Sequence, residues 1–184
     1  MLTPADGKKL IKLAKDTVKS YLEKKEYPVP ESIKNKYNDK RGVFVCIKKN
    51  NQLRGCIGYI EPEHPIWWAV ENAAKGAAFS DPRFPSTSKN ELPDITFEIS
   101  VLTEPKLLEC PPEERQKHVK IGKHGLIAEK EQYKGILLPQ VFTELKVDSE
   151  SALDLTCKKA GLKAREWENK DVSIYTFECQ IFKD

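Results

Sequence analysis

The sequence predicts an α+β fold in which a mainly antiparallel sheet is flanked by helices. Two observations carry this reading. Apolar and polar residues alternate in "DITFEISVLT" and "VSIYTFECQIF", as they do in strands with one buried face. Strand-like segments also come in pairs joined by short polar turns, with amphipathic helices between the pairs, an order that suits hairpins better than regular βαβ repeats.

Taken in order, the opening segment is a helix. Thr3 can cap it, Pro4 suits its first position, and Asp6 completes a capping-box start. Leu10, Ile11, Ala14, Val18, Tyr21 and Leu22 recur at helical spacing and form a stripe that docks on the body of the protein. Lys8, Lys12, Lys15 and Lys19 share a different face, either a phosphate-contacting ridge or the ordinary solvated side of such a helix. Residues 26–42 are rich in proline, charge and asparagine and read as a loop with at most one helical turn. "GVFVCIKK" and "QLRGCIGYI" then form a hairpin that turns at Asn50 and Asn51.

A second helix starts near Pro65, carries Trp67 and Trp68, and ends in the proline-punctuated loop "SDPRFPSTS". The next strand sets Ile95, Phe97, Ile99 and Val101 on one face and Thr96, Glu98 and Ser100 on the other, whose polar surface is available for a site. "CPPEERQKH" is a break with at most one turn of helix, and "HGLIAEKEQYKGILLPQ" resembles a second hairpin. Asp148 and Ser149 open a last helix, with Leu153, Cys157 and Ala160 at helical spacing and Gly161 as its stop. "VSIYTFECQIF" closes the chain as another alternating strand.

With 184 residues, 39% of them hydrophobic, the chain suits one domain, or one domain with a smaller lobe, and can bury a core without disulfides or metal. The 32% charged content is mostly Lys and Glu, with a single Met, a composition that fits a warm-growing organism. Net charge is only +3, but it is uneven: residues 1–60 carry 14 Lys/Arg against 6 Asp/Glu, and the remainder 17 against 22. That asymmetry permits an acidic partner, including nucleic acid. The five cysteines are odd in number, widely spaced and free of C-x-x-C pairs, which argues against a disulfide framework or zinc knuckle and for a reducing cytoplasm. No signal peptide or membrane-length apolar run is visible, so a soluble intracellular protein without a membrane role is expected. Histidine spacing fits no metal motif, and Gly-rich phosphate loops, dinucleotide fingerprints and G-x-S-x-G are absent, so neither metal nor cofactor is expected.

The stretch "LRGCIG", Leu53 to Gly58, stands out. In a regular strand Arg54 and Cys56 share one face while Leu53 and Ile57 anchor the other, and Gly55 and Gly58 allow a bulge or a close backbone approach. A guanidinium beside Cys56 would favour its thiolate; alternatively Cys56 is a small buried hydrophobe and Arg54 binds a carboxylate such as Asp81 or Glu98. "SDPRFP" offers Asp81, Arg83 and Phe84 on a rigid loop, for a site or as a salt-bridged corner. His124 is a candidate general base for Cys56, and Gln140 a candidate orienting or oxyanion-stabilising amide.

These blocks, "LRGCIG", "AAFSDPRFP", "ELPDITFEISVLTEP", "GKHGLIAEK", "GILLPQV" and "CKKAGL", in this order and spacing, resemble the AMMECR family, named after a human chromosomal region linked to Alport syndrome and elliptocytosis. The likeness runs from about Asp6 to Phe182 and suits a stand-alone archaeal member. It implies a single domain over residues 1–184, with a larger lobe built on an antiparallel sheet flanked by helices and a smaller lobe beside it. It also implies a functional cleft that includes Arg54 and Cys56, with Asp81, Arg83, Phe84, Pro85, His124 and Gly125 at matching positions. Association with Memo-like and radical-SAM proteins, in a modification pathway, is implied by the same resemblance. Two functions follow as expectations. In one, the chain is an enzyme or enzyme subunit with Cys56 as nucleophile, Arg54 as anion binder and His124 as proton carrier. In the other it is a non-catalytic module that binds a protein, a peptide or a nucleic acid.

Overall fold

The structure is a computed structural model that describes residues 1–184. The chain divides into two compact units, one of Met1–Leu102 with Gln180–Asp184 and a smaller one of Thr103–Cys179. Each contains an antiparallel sheet flanked by helices, as the alternation of apolar residues predicts.

The first unit holds α1 (Pro4–Leu22), α2 (Glu31–Lys36), β1 (Val43–Lys49), β2 (Gln52–Tyr59), α3 (Ile66–Phe79) and β3 (Ile95–Leu102). A C-terminal strand, β8 (Cys179–Lys183), completes a sheet of order β2-β1-β3-β8. Helix α1 starts where its chemistry says it should. The Thr3 side chain accepts from the Asp6 amide, and Asp6 Oδ2 accepts from the Thr3 amide at 2.8 Å. Lys36 pairs with Asp6 at 2.7 Å, and with the Thr3 hydrogen bonds and a weaker one donated by Tyr37 at 3.0 Å it holds the Asp6 carboxyl well below the usual carboxylate range.

Val43, Val45, Ile47, Ile95, Phe97 and Ile99 form the apolar face of this sheet, buried with the stripes of α1 and α3 in one core. The facing side of α3 is made of Ala69, Ala73, Ala74 and Ala77, so the helix lies close on the sheet. At Gly55 a Cβ would collide with the carbonyl of Ala77, and only glycine permits that approach. In the loop before β1, α2 is longer than the single turn expected. The face carrying Glu98 and Ser100, expected to be open, is buried at both residues.

The smaller unit holds β4 (Lys106–Leu107), α4 (Arg115–His118), β5 (Gly125–Lys130), β6 (Tyr133–Leu137), α5 (Pro139–Leu145), α6 (Ser149–Lys159) and β7 (Ser173–Phe177). Its sheet has the order β4-β7-β5-β6, and its core gathers Leu126, Phe142, Leu153, Cys157, Trp167 and Ile174. The Asp148 side chain caps α6 by accepting from the Ser151 amide, and Gly161 ends it at φ +82°. Two elements, β4 and α5, are too short to leave a periodic signal. The last strand is a correction: "VSIYTFECQIF" is two strands in two sheets, not one. The break falls at Glu178, where Thr103 donates through its amide to the Glu178 carbonyl and accepts from the Glu178 amide through its hydroxyl. No helix is long and apolar enough to cross a membrane.

Candidate functional site

The hairpin of β1 and β2 positions the motif. Its turn places Asn50 and Asn51 at φ +50° and +61°, the two positive values of the tight turn that suits strand twist. Continued evenly, that turn would set Cys46 opposite Gly55. The pairing instead runs Lys49–Gln52 and Lys48–Leu53, then slips to Ile47–Gly55 and Cys46–Cys56. Arg54 is the extra residue of this bulge. The slip changes which residues share a face, so Leu53 does not anchor the core as expected and is 42% exposed. Ile57 keeps its expected role and packs on Gly76 of α3.

Directly opposed, with Cα atoms 4.1 Å apart, Cys46 and Cys56 are joined by a disulfide. This corrects the expectation of a chain without a disulfide framework and both readings of Cys56, as an activated thiol and as a small buried hydrophobe. Sequence spacing did not reveal the pair because it arises from strand register. Both residues are partly buried, on the face of the sheet that also carries Glu98, the register partner of Cys46. The Glu98 carboxylate is held by Lys48 at 2.9 Å and by Lys183 at 3.5 Å.

Arg54 does not serve Cys56. Its Nε and Nη2 donate to the two carboxylate oxygens of Glu91 at 3.0 and 3.2 Å, a fork-to-fork pair. Glu91, which sequence reasoning missed, also accepts from the amide and hydroxyl of Ser88 and from Lys49. Hydrogen bonding by Arg54, above all, lowers its carboxyl to about 2. A signal was present: Ser88 followed three residues later by Glu91 is a capping-box spacing.

Strand β2 lies at the sheet edge. The close Cα spacing marks Cys46–Cys56 as a non-hydrogen-bonded pair, so the Cys56 amide and carbonyl point away from β1. Asp81 Oδ2 accepts from that amide at 2.8 Å, and Arg83 Nη2 donates to that carbonyl at 3.3 Å. Arg83 also grips Asp81 through Nε and Nη2, at 3.0 and 2.7 Å, so one ion pair replaces the missing neighbour strand. Arg83 keeps the Asp81 carboxyl far below its ordinary range. The guanidinium lies 5.5 Å from the centre of the Phe84 ring. The "SDPRFP" segment is therefore the salt-bridged corner, with Asp81 buried and Arg83 half exposed. Gly58 has no room for a side chain because a Cβ there would strike the Phe44 ring.

A sequence model of AMMECR1 matches residues 11–182. The chain belongs to the AMMECR1 family. It is 45% identical over 177 residues to a protein of Nanoarchaeum equitans, covering 95% of this chain and 98% of that one. It is 43% identical over 184 residues to a protein of Pyrococcus furiosus, covering 97% of this chain and 88% of the other. The crystal structure of an uncharacterized protein from Pyrococcus horikoshii superposes with a TM-score of 0.94 at 40% identity, covering 100% of this chain and 93% of that one.

In this AMMECR1-family chain the remaining candidates, His124 and Gln140, belong to the smaller unit. The Lys120 amide donates to His124 Nδ1 at 3.3 Å, and burial lowers the imidazole's pKa. Gln140 Oε1 accepts from the Cys179 thiol at 3.7 Å. The one histidine of the unit that carries Cys56 is His64, which packs on Tyr59 and Trp68. No group of three His, Cys, Asp or Glu side chains converges to hold a metal ion.

Proposed function

We propose that Cys46 and Cys56 are a thiol–disulfide exchange centre, and that the chain works as the redox subunit of a cytoplasmic modification system. The observation that carries this reading is the pairing of the motif cysteine with a cysteine directly across the hairpin, on the strand next to a sheet edge. Arg54, Asp81 and Arg83 support it in a different way from that expected: they are spent on holding the loop and the strand, which leaves sulfur as the reactive chemistry of the motif. In the exchange, a thiolate of a partner attacks Cys56 Sγ, the bond to Cys46 breaks, and Cys46 leaves as a thiolate that takes up a proton. A second thiol of the partner then attacks the mixed disulfide and releases Cys56. The partner's two thiols become a disulfide while this chain gains two thiols. Memo-like and radical-SAM proteins are the partners to assay first. A binding module for protein, peptide or nucleic acid is the second reading, favoured by the basic residues 1–60.

The test is quantitative alkylation of the native protein before and after millimolar dithiothreitol, read by mass spectrometry. Two new reactive thiols should appear at Cys46 and Cys56. In Cys46→Ser, Cys56 should react far faster than Cys157, whose burial pushes its thiol up to about 11. A pair that resists reduction in the folded protein, or a Cys56 no faster than Cys157, would sink the exchange reading and leave the binding module.

A further inference from the structure

Apart from the two cysteines, the first unit carries a cleft between the C-terminal ends of α1 and α3. It comprises two hollows, of about 700 and about 340 Å³, that share Tyr21, Lys25 and Glu26 as walls. Volumes of this size match small-molecule sites.

Two independent features mark it as built to receive a ligand. Thr17 lines the smaller hollow and Thr87 the larger; they are 1% and 3% exposed, and neither hydroxyl has a hydrogen-bond partner. Buried polar groups are nearly always satisfied, and a threonine inside a helix ordinarily bonds a carbonyl one turn back, which Thr17 does not. Two orphan hydroxyls on residues that line one cleft call for a polar occupant. The second feature is aromatic. Tyr21 stacks on Phe79 with ring centres 4.4 Å apart and planes 26° apart, yet it remains 57% exposed. A ring anchored on one side and open on the other is a platform for a planar heterocycle.

Charge narrows the choice. Lys25 is paired with Glu23 and Lys75 with Glu71, whereas Lys24, which lines the larger hollow, takes part in no ion pair. One unpaired cation, one stacking face and two hydroxyls together match a ligand with a single anionic group, a flat ring and several hydrogen-bonding atoms. From this we propose that the cleft binds a nucleoside monophosphate, with its base on Tyr21, its phosphate at Lys24, and its polar groups on Thr17 and Thr87. The loop that supplies Thr87 also carries Asp81 and Arg83, so an occupied cleft touches the same segment that holds the Cys56 backbone.

Calorimetric titration of the full chain with AMP, GMP, CMP and UMP tests this, with adenosine and inorganic phosphate as comparators. At least one nucleotide should bind saturably at one site, more tightly than adenosine, with no saturable binding of phosphate. Tyr21→Ala should weaken it about tenfold, the scale of one lost stacking contact. Thr87→Val should weaken it comparably while leaving the thermal midpoint unchanged or higher, because a methyl replaces an unpaired hydroxyl. Cys56→Ser should bind like the wild type, which separates this site from the thiol centre. No saturable binding of any of the four at millimolar concentration would overturn the proposal, as would unchanged affinity in Tyr21→Ala. So would a Thr87→Val that lowers the midpoint and leaves binding intact.

Discussion

Arg54 illustrates how one residue's role depends on what the fold brings to it. In the sequence it stands two places from Cys56 and reads either as its activator or as the partner of a carboxylate such as Asp81 or Glu98; in the structure its guanidinium is committed to a carboxylate, that of Glu91, through two hydrogen bonds. The pairing makes Glu91 a determinant of acid stability. Its pKa falls from an ordinary 4.5 to about 2 on folding, so the folded form prefers the ionised carboxylate. The resulting stabilisation is fully present above about pH 4.5 and disappears as the pH drops through that value towards 2. Glu91→Gln should therefore lower the unfolding free energy by about 1–3 kcal/mol at neutral pH, and the difference from wild type should vanish near pH 2. Urea titrations of both proteins at a series of pH values measure it, and a difference that does not change with pH would refute the assignment. Asp6 and Asp81 acidify in the same direction, so only the comparison isolates Glu91.

Among the elements, β2 is the one whose surroundings decide its chemistry. An edge strand presents unpaired amides and carbonyls and invites another strand to add. Here Asp81 and Arg83 supply an acceptor and a donor to the one residue of the strand that carries the bridged sulfur. Asp81→Ala should speed hydrogen exchange at the Cys56 amide by about tenfold or more, one lost charge-assisted hydrogen bond, while β1 and β3 keep their protection. Loss of protection across the whole sheet would show instead that Asp81 supports the fold globally.

For the molecule as a whole, the notable feature is that its last strand completes the sheet of the first unit. Phe182 fills the space over Gly7, Gln180 exchanges hydrogen bonds with the backbone of Leu2, and the Asp184 amide donates to the Phe97 carbonyl. Deleting residues 180–184 should strip β3 of a neighbour and expose the part of the core that Phe182 covers beside Gly7, lowering the midpoint of the first unit by several degrees. The protection of β5 and β7 in the second unit should change little. Hydrogen exchange of the truncated chain, followed strand by strand, reads both units in one experiment.

By itself the sequence determined the parts that depend on neighbours along the chain. The Thr3–Asp6 cap, the Asn50–Asn51 turn, the α3 start after Pro65, the Asp148 cap and the span of strand β3 all express local geometry, and each is where its residues put it. The resemblance carried by six ordered blocks likewise led to the family. Tertiary structure alone decided the candidate site. A one-residue bulge at Arg54 is invisible to periodicity, yet it moves Cys56 opposite Cys46 and turns Leu53 outward. Glu91 and Asp81 reach the strand from a loop more than twenty residues away, and the break at Glu178 separates two strands that alternate without interruption in the sequence. Register and loop docking are set by the free energy of packing the entire core, to which no short segment has access.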